Sequence, residues 1–275
     1  MRVKANGIEI EVELHGRGPT LVLVHGFSDN LTMWYNQVPQ FSNTNRVLVY
    51  DVRGHGGTET PEIEIGMDLL SEDLRALLDA LEIEKACVLG YSMGGRIGLG
   101  FALKYPARTA GLILANSGVM GTDIRPSPEE AKAMVARRQE MLDMIETGNI
   151  EAIASGMAER SLSPGFRQRN PEVFRRYEQV KMKNSPLAYK AMMDGMARAT
   201  ADPPDLSRLR CPVLIIAGEY DGFMAMEVAR SMEKRIEEAT LAALPTGHAA
   251  AIEAPEEFNR AVLAFLRTIN WGKGG

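Results

Sequence analysis

Gly90-Tyr91-Ser92-Met93-Gly94-Gly95 stands between the apolar run Ala86-Cys87-Val88-Leu89 and a segment patterned as a helix, residues 92–105. A serine with glycines two residues to either side, at a strand-to-helix turn, is pushed into a strained and exposed position. A Cβ at either glycine would collide with the neighbouring strand or helix. The serine also begins a helix, where unpaired amides and the helix dipole favour developing negative charge. The pentapeptide alone is moderately specific. A strand before it and a helix behind it make Ser92 a strong candidate nucleophile.

Outward from this turn, short apolar runs alternate with helical patterns. Leu21-Val22-Leu23-Val24 stops at His25-Gly26, Val47-Leu48-Val49-Tyr50 stops at Asp51, and further runs occupy residues 112–114, 213–216 and 240–244. Runs without polar alternation fit strands buried on both faces. Residues 68–81 and 258–266 place apolar side chains at three- and four-residue spacing, as amphipathic helices do. The alternation predicts a mostly parallel sheet with helices on both faces, and in such sheets ligands bind beyond the carboxyl ends of the strands. Residues 8–14 alternate and Gly16-Arg17-Gly18-Pro19 follows as a turn, so the first two strands are expected to form a hairpin.

One long stretch breaks this pattern. Residues 119–204 carry no strand signal, and helix starts recur at Ser127-Pro128-Glu129-Glu130, Asn170-Pro171-Glu172 and Ser185-Pro186. The expected organisation is a core formed by residues 1–118 and 205–275, with a helical insertion at 119–204. The insertion holds Met134, Met141, Met144, Met157, Met182, Met192, Met193 and Met196. Most fit ordinary helix packing, and some are candidates to line a deformable apolar pocket. Gly95-Arg96-Ile97-Gly98-Leu99-Gly100 lies inside a helix, so helix-to-sheet packing explains its glycines better than nucleotide binding does.

A serine hydroxyl needs a base, and the chain offers four histidines. His15 sits by a turn and reads as surface. His25 and His55 end strands inside His25-Gly26-Phe27 and Asp51-Val52-Arg53-Gly54-His55-Gly56, where they fit loop bracing. His248 follows the last strand in Gly247-His248, ahead of the final helix, and is the candidate base. Asp221, in Gly218-Glu219-Tyr220-Asp221-Gly222 after a strand, is the candidate acid that orients it, with Glu219 as the rival. Two donors are then needed for an oxyanion: the backbone N–H of Met93, and that of Phe27 in the loop after the third strand. Trp34 fits either the border of an acyl pocket or the core.

These motifs, with Glu253 and Pro255 after Gly247-His248, together resemble the α/β-hydrolase superfamily over almost the whole chain. The resemblance implies an α/β-hydrolase fold with an eight-stranded, mostly parallel sheet, a helical cap at 119–204 and no cofactor. Within the superfamily the pattern is similar to small carboxylesterases and 3-oxoadipate enol-lactonases. This implies a carboxylic-ester hydrolase that cleaves a small ester or lactone through an acyl-enzyme on Ser92. Haloalkane dehalogenases and epoxide hydrolases of the fold use aspartate where Ser92 stands, which argues against both. Gly90-Tyr91-Ser92-Met93-Gly94-Gly95-Arg96 also resembles the elbow of the menaquinone-pathway SHCHC synthase. That likeness implies a lyase in which Tyr91 and Arg96 bind an anionic substrate, with Arg137 or Arg138 standing in for a cap arginine. The second expected cap site reads Lys181-Met182-Lys183 instead. Arg96 equally fits a solvated or salt-bridged helix residue. A carbon–carbon bond hydrolase and a receptor-like member are further alternatives.

The 275-residue chain is 45% hydrophobic, enough for one large core, and carries a net charge of −5 with no basic face in its sequence. That balance disfavours nucleic acid and anionic membranes as partners and leaves a small-molecule substrate. The N-terminus lacks the apolar stretch of a signal peptide, and no apolar run approaches the ~20 residues of a membrane span. Cys87 and Cys211 each edge a strand-like run and read as buried free thiols, with no spacing for a metal site. A cytoplasmic location is expected.

Overall fold

Asn6 and Gly7 both hold positive φ, 47° and 80°, the two-residue turn that matches strand twist. It joins β1 (Arg2–Ala5) to β2 (Ile8–His15) as an antiparallel hairpin, with Ala5 opposite Ile8. The structure, a computed structural model, describes residues 1–60, 65–119, 128–197 and 203–271. β3 (Thr20–Val24) and β4 (Arg46–Tyr50) come next. The turn expected at residues 16–19 closes no hairpin, because β2 pairs antiparallel with β4 while β3 lies on the far side of β4 and parallel to it. The reason is local. Gly16 adopts φ +72° against the residues preceding β4, where a Cβ would sit 2.4 Å from the carbonyl oxygens of Ser42 and Asn45. The chain therefore crosses over β4 instead of folding back on β2.

The remaining strands are β5 (Ala86–Tyr91), β6 (Thr109–Ala115), β7 (Val213–Gly218) and β8 (Ala239–Leu244). The eight form one sheet in the order β1-β2-β4-β3-β5-β6-β7-β8, parallel from β4 onward. Along the inner strands, alternate residues feed two cores. Val22, Val88, Leu112 and Ile215 point into one, and Leu23, Leu89, Ile113 and Ile216 into the other.

Helices α1 (Val38–Phe41), α2 (Met67–Ala80) and α3 (Met93–Lys104) punctuate the first half. α2 and α3 bury Leu70, Leu74, Ile97 and Phe101 in the first core, while Phe41 of α1 enters the second. Gly98 lets α3 approach the sheet, since a Cβ there would lie 3.0 Å from Val88 Cγ1, as expected for a packing glycine. Between β6 and β7 the chain forms α4 (Pro128–Thr147), α5 (Ile150–Ser161), α6 (Phe166–Arg169), α7 (Pro171–Lys181) and α8 (Pro186–Ala197). Prolines 128, 171 and 186 each occupy a first helical position, where the missing N–H costs nothing. Ser127 lies outside the described residues, and Asn170 makes no side-chain cap bond. After β7 come α9 (Met226–Arg235), α10 (Ala250–Glu253) and α11 (Pro255–Leu266). α9 buries Ala229 and Met232 in the first core, and α11 buries Phe258 and Val262 in the second. Cys87 and Cys211 are buried free thiols. Among the described residues no helix is long and apolar enough to cross a membrane.

Candidate active site

Ser92 occupies the turn between β5 and α3 with φ 52° and ψ −115°, a region that costs a non-glycine residue on the order of 1–3 kcal/mol. Two glycines make this turn possible. A Cβ on Gly90 would lie 2.1 Å from the Gly94 carbonyl oxygen, and one on Gly94 would lie 2.2 Å from that of Val24. The turn is pinned from β6 as well: Ser92 N–H donates to Ala115 O at 2.9 Å, and Ser117 Oγ donates to Ser92 O at 2.7 Å.

His248 enters from the loop after β8. Its Nε2 lies 2.9 Å from Ser92 Oγ and its Nδ1 lies 2.8 Å from Asp221 Oδ2. A carboxylate only accepts, so Nδ1 carries the proton and Nε2 is free to accept from the serine hydroxyl. The rings of Phe223 and Tyr91 flank the imidazole, with centroids 4.8 and 5.2 Å away. Glu253 holds the loop by accepting the N–H groups of Gly247 (2.7 Å) and Ser163 (3.0 Å) through Oε1.

Asp221, not Glu219, faces the imidazole; Glu219 is exposed. The Asp221 side chain is buried and receives four donors. Oδ1 accepts the amides of Phe223 (2.8 Å) and Met224 (3.0 Å), and Oδ2 accepts Asn116 Nδ2 (3.1 Å) besides His248. Burial pushes its pKa upward, but the bond and charge of His248 with the Phe223 and Asn116 donors outweigh it, so the carboxyl stays below its usual range. Asn116 is absent from the sequence reading. Its signal was its place, immediately beyond the carboxyl end of β6, at φ +46°.

Phe27 and Met93 both line the cavity in front of Ser92, and among the described residues neither backbone N–H donates to another protein group. His25 and His55 are buried beneath. Val52 N–H donates to His25 Nε2 at 2.9 Å, and His55 Nδ1 donates to Arg53 O at 3.3 Å, so both brace loops. His15 pairs with Glu13 at the surface.

In front of Ser92 lies a cavity of about 340 Å³. Met141, Met157 and Met193 from the helical insertion line it, together with Met93 and Met224. Met192 is buried in a core instead, and Met182 is exposed. The side chains of Met134, Met196 and Arg137 lie outside the described residues. Tyr91, Arg96, Arg138 and Arg160 also line the cavity, and no carboxylate does among the described residues. Arg138 lies 3.5 Å from Asp194 and Arg160 lies 2.9 Å from Glu140. Arg96 is half-buried, has no ion-pair partner among the described residues, and is pushed to a lower pKa by burial. Trp34 does not border this cavity. It is fully buried in the second core, where the short helical turn Leu31–Trp34 places it. Among the described residues no cluster of His, Cys, Asp or Glu could hold a metal ion.

A family model described as the alpha/beta hydrolase fold matches residues 19–255. The 3-oxoadipate enol-lactonase 2 of Acinetobacter baylyi is 32% identical over 92% of this chain and 90% of its own length. A Bacillus subtilis protein provisionally named 2-succinyl-6-hydroxy-2,4-cyclohexadiene-1-carboxylate synthase is 26% identical over 90% of each chain. The crystal structure of the enol-lactonase from Burkholderia xenovorans LB400 superposes with a TM-score of 0.86 at 26% identity, covering 97% of this chain and all of that one. With a match of this length, and with this sheet order, the chain belongs to the α/β hydrolase fold family.

Proposed function

We propose that this protein hydrolyses small carboxylic esters or lactones through an acyl-enzyme on Ser92. The observation that carries the reading is the run of hydrogen bonds from Ser92 Oγ through His248 to Asp221, 2.9 and 2.8 Å long, beside a cavity that Ser92, His248, Phe27 and Met93 all line. Ser92 Oγ attacks the ester carbonyl while His248 Nε2 takes its proton. The tetrahedral oxyanion receives the amides of Phe27 and Met93. His248 then returns the proton to the leaving alkoxide. Water, deprotonated by His248, attacks the acyl-enzyme and releases the acid and free Ser92. Residues 119–204 act as the cap over this cavity. The kinship with an enol-lactonase supports a lactone or ester as substrate.

A second reading rests on Tyr91 and Arg96, which both line the cavity. In it the His248–Ser92 pair abstracts a proton from an anionic substrate, as the synthase-like relative suggests. Turnover of p-nitrophenyl acetate separates the two. The hydrolase reading expects saturable turnover that Ser92→Ala abolishes. Negligible ester cleavage, alongside rapid loss of pyruvate from the succinyl-cyclohexene substrate, would replace it with the lyase.

A further inference from the structure

The turn after β3, residues 26–30, carries the Phe27 amide and has one backbone hydrogen bond of its own, Asp29 N–H to Gly26 O at 3.2 Å. Its next residue, Ser28, is fully buried and holds φ +67°, a left-handed conformation that serine adopts only when its surroundings impose it. Those surroundings come from the end of α7 and the residues after it. Lys181, 1% exposed, places Nζ 2.8 Å from Asp29 Oδ1 and 3.0 Å from Ser28 Oγ, over the Tyr177 ring at 4.2 Å. Asn184 Nδ2 donates to the carbonyls of Ser28 (2.7 Å) and Asp29 (3.2 Å), while its Oδ1 accepts Gly56 N–H at 2.8 Å. Tyr189 donates to Lys181 O at 3.0 Å and closes the set. Asn30 Nδ2 reaches back to Val180 O.

A buried ion pair is poor at raising stability, because the lost hydration of both charges offsets their attraction. What it enforces is one geometry, since any displacement leaves a charge buried without its partner. Here the geometry enforced is that of the turn whose Phe27 lines the cavity in front of Ser92. We propose that Lys181 and Asn184 are positioning residues: from the helical insertion, they hold residues 26–30 so that the Phe27 N–H points at the developing oxyanion. The insertion is then part of the catalytic apparatus as well as its cover. This rests on the hydrolase reading above.

The test pairs Lys181→Met with Asp29→Asn, which removes both charges and keeps the side-chain volumes, and measures p-nitrophenyl acetate hydrolysis and binding of phenylboronic acid, whose tetrahedral adduct on Ser92 bears the same negative oxygen. A misplaced oxyanion donor predicts a kcat roughly 30-fold lower with KM within threefold. Boronate affinity falls in proportion. Asn184→Ala keeps the ion pair and predicts a loss of roughly fivefold in both readouts, so it carries the test if the double variant fails to fold. A kcat and boronate affinity within twofold of wild type in a folded variant, even one with a lower Tm, overturn the proposal, as does a loss confined to KM. The variants are scored against a wild-type rate that Ser92→Ala abolishes. A failed ratio therefore overturns positioning alone, and an absent wild-type rate overturns the hydrolase reading with it.

Discussion

Asp221→Asn preserves the shape of the side chain and turns one acceptor into a donor. Four donors converge on the two carboxylate oxygens: the Phe223 and Met224 amides on Oδ1, and His248 Nδ1 and Asn116 Nδ2 on Oδ2. The backbone amides cannot turn away, so the asparagine oxygen stays on their side and its NH2 faces His248 and Asn116. Asn116 relieves the clash only by flipping its amide, which gives up its Nδ2 bond to Gly247 O at 3.3 Å. His248 has one remedy, which is to accept through Nδ1 and carry its proton on Nε2. That proton then points at Ser92 Oγ, 2.9 Å away, and the imidazole is no longer a base. The equivalent substitution in a serine protease leaves the geometry intact and lowers kcat by about 10⁴, on the order of 5 kcal/mol in barrier. The expected result is therefore a folded variant with p-nitrophenyl acetate turnover lowered about 10⁴-fold, while Glu219→Gln is unchanged. A folded Asp221→Asn variant that keeps more than a tenth of the wild-type kcat would refute the tautomer reasoning and move the acid's role elsewhere.

Arg96 supplies a second prediction. A half-buried guanidinium without an ion-pair partner among the described residues is poised for an anionic group, and a charge-assisted hydrogen bond contributes about 1.5–3 kcal/mol. Wild type should therefore prefer the p-nitrophenyl monoester of succinic acid over p-nitrophenyl butyrate, and Arg96→Met should lower kcat/KM about 10- to 100-fold for the charged ester only; equal losses on both esters would exclude this role. A third prediction concerns acid. Burial holds His55 down to about 4 and His25 well below its ordinary value, and His55 Nε2 has no acceptor for a second proton. Their stability is fully present above pH 6.5 and is lost as pH falls toward 4, roughly 3 kcal/mol for His55 alone. Asp51, raised to about 6 by burial, acts in the opposite sense: its contribution is present below pH 3.8 and lost as pH rises through 6. Asp29 and Glu253, also raised by burial, act with Asp51, so the histidine share is read by difference: between pH 6.5 and 4.5 the urea midpoint of His55→Asn should fall less than that of wild type, and parallel profiles would contradict this.

What could be read in the sequence was what local sterics dictate. The glycines around Ser92 are required by contacts with Gly94 and Val24 backbone, and a strand end followed by Asp221 or His248 is visible within a few residues. Groups that meet only through the fold were not legible. Asn116 and Asp221 are 105 residues apart, and Asp29 and Lys181 are 152 apart. No periodicity announces such pairs, and the sequence singles out Lys181 only within Lys181-Met182-Lys183, where the resemblance implies a cap arginine. The hairpin is different, because its signal was present. Asn6-Gly7 is the stronger two-residue turn, but the conspicuous glycines and proline at 16–19 draw the hairpin to the wrong place, since Gly16 meets Ser42 and Asn45, far off in sequence, and carries the chain over β4. Trp34 fits either a pocket wall or the core in the sequence, and only its burial in the second core decides between them.

The helical insertion divides by what it packs against. Ala158, Leu162, Phe166, Phe174, Tyr177 and Val180 belong to the same apolar core as the sheet. This part also grips the chemistry through polar contacts. Ala249 N–H donates to Ser161 O at 2.7 Å beside His248, Ser163 shares Glu253 with Gly247, and Lys181 and Asn184 hold the turn after β3. Met141, Ile145, Ile153, Met157, Tyr189 and Met193 form a separate cluster, in which α4 and α8 pack on each other and on α5. Those helices contribute Arg138, Met141 and Met193 to the cavity. Substitutions at Arg138, Met141 and Met193 therefore reshape what the cavity accepts, whereas substitutions at Ser163, Lys181, Asn184 and Tyr189 disturb the loop of His248 and the turn after β3.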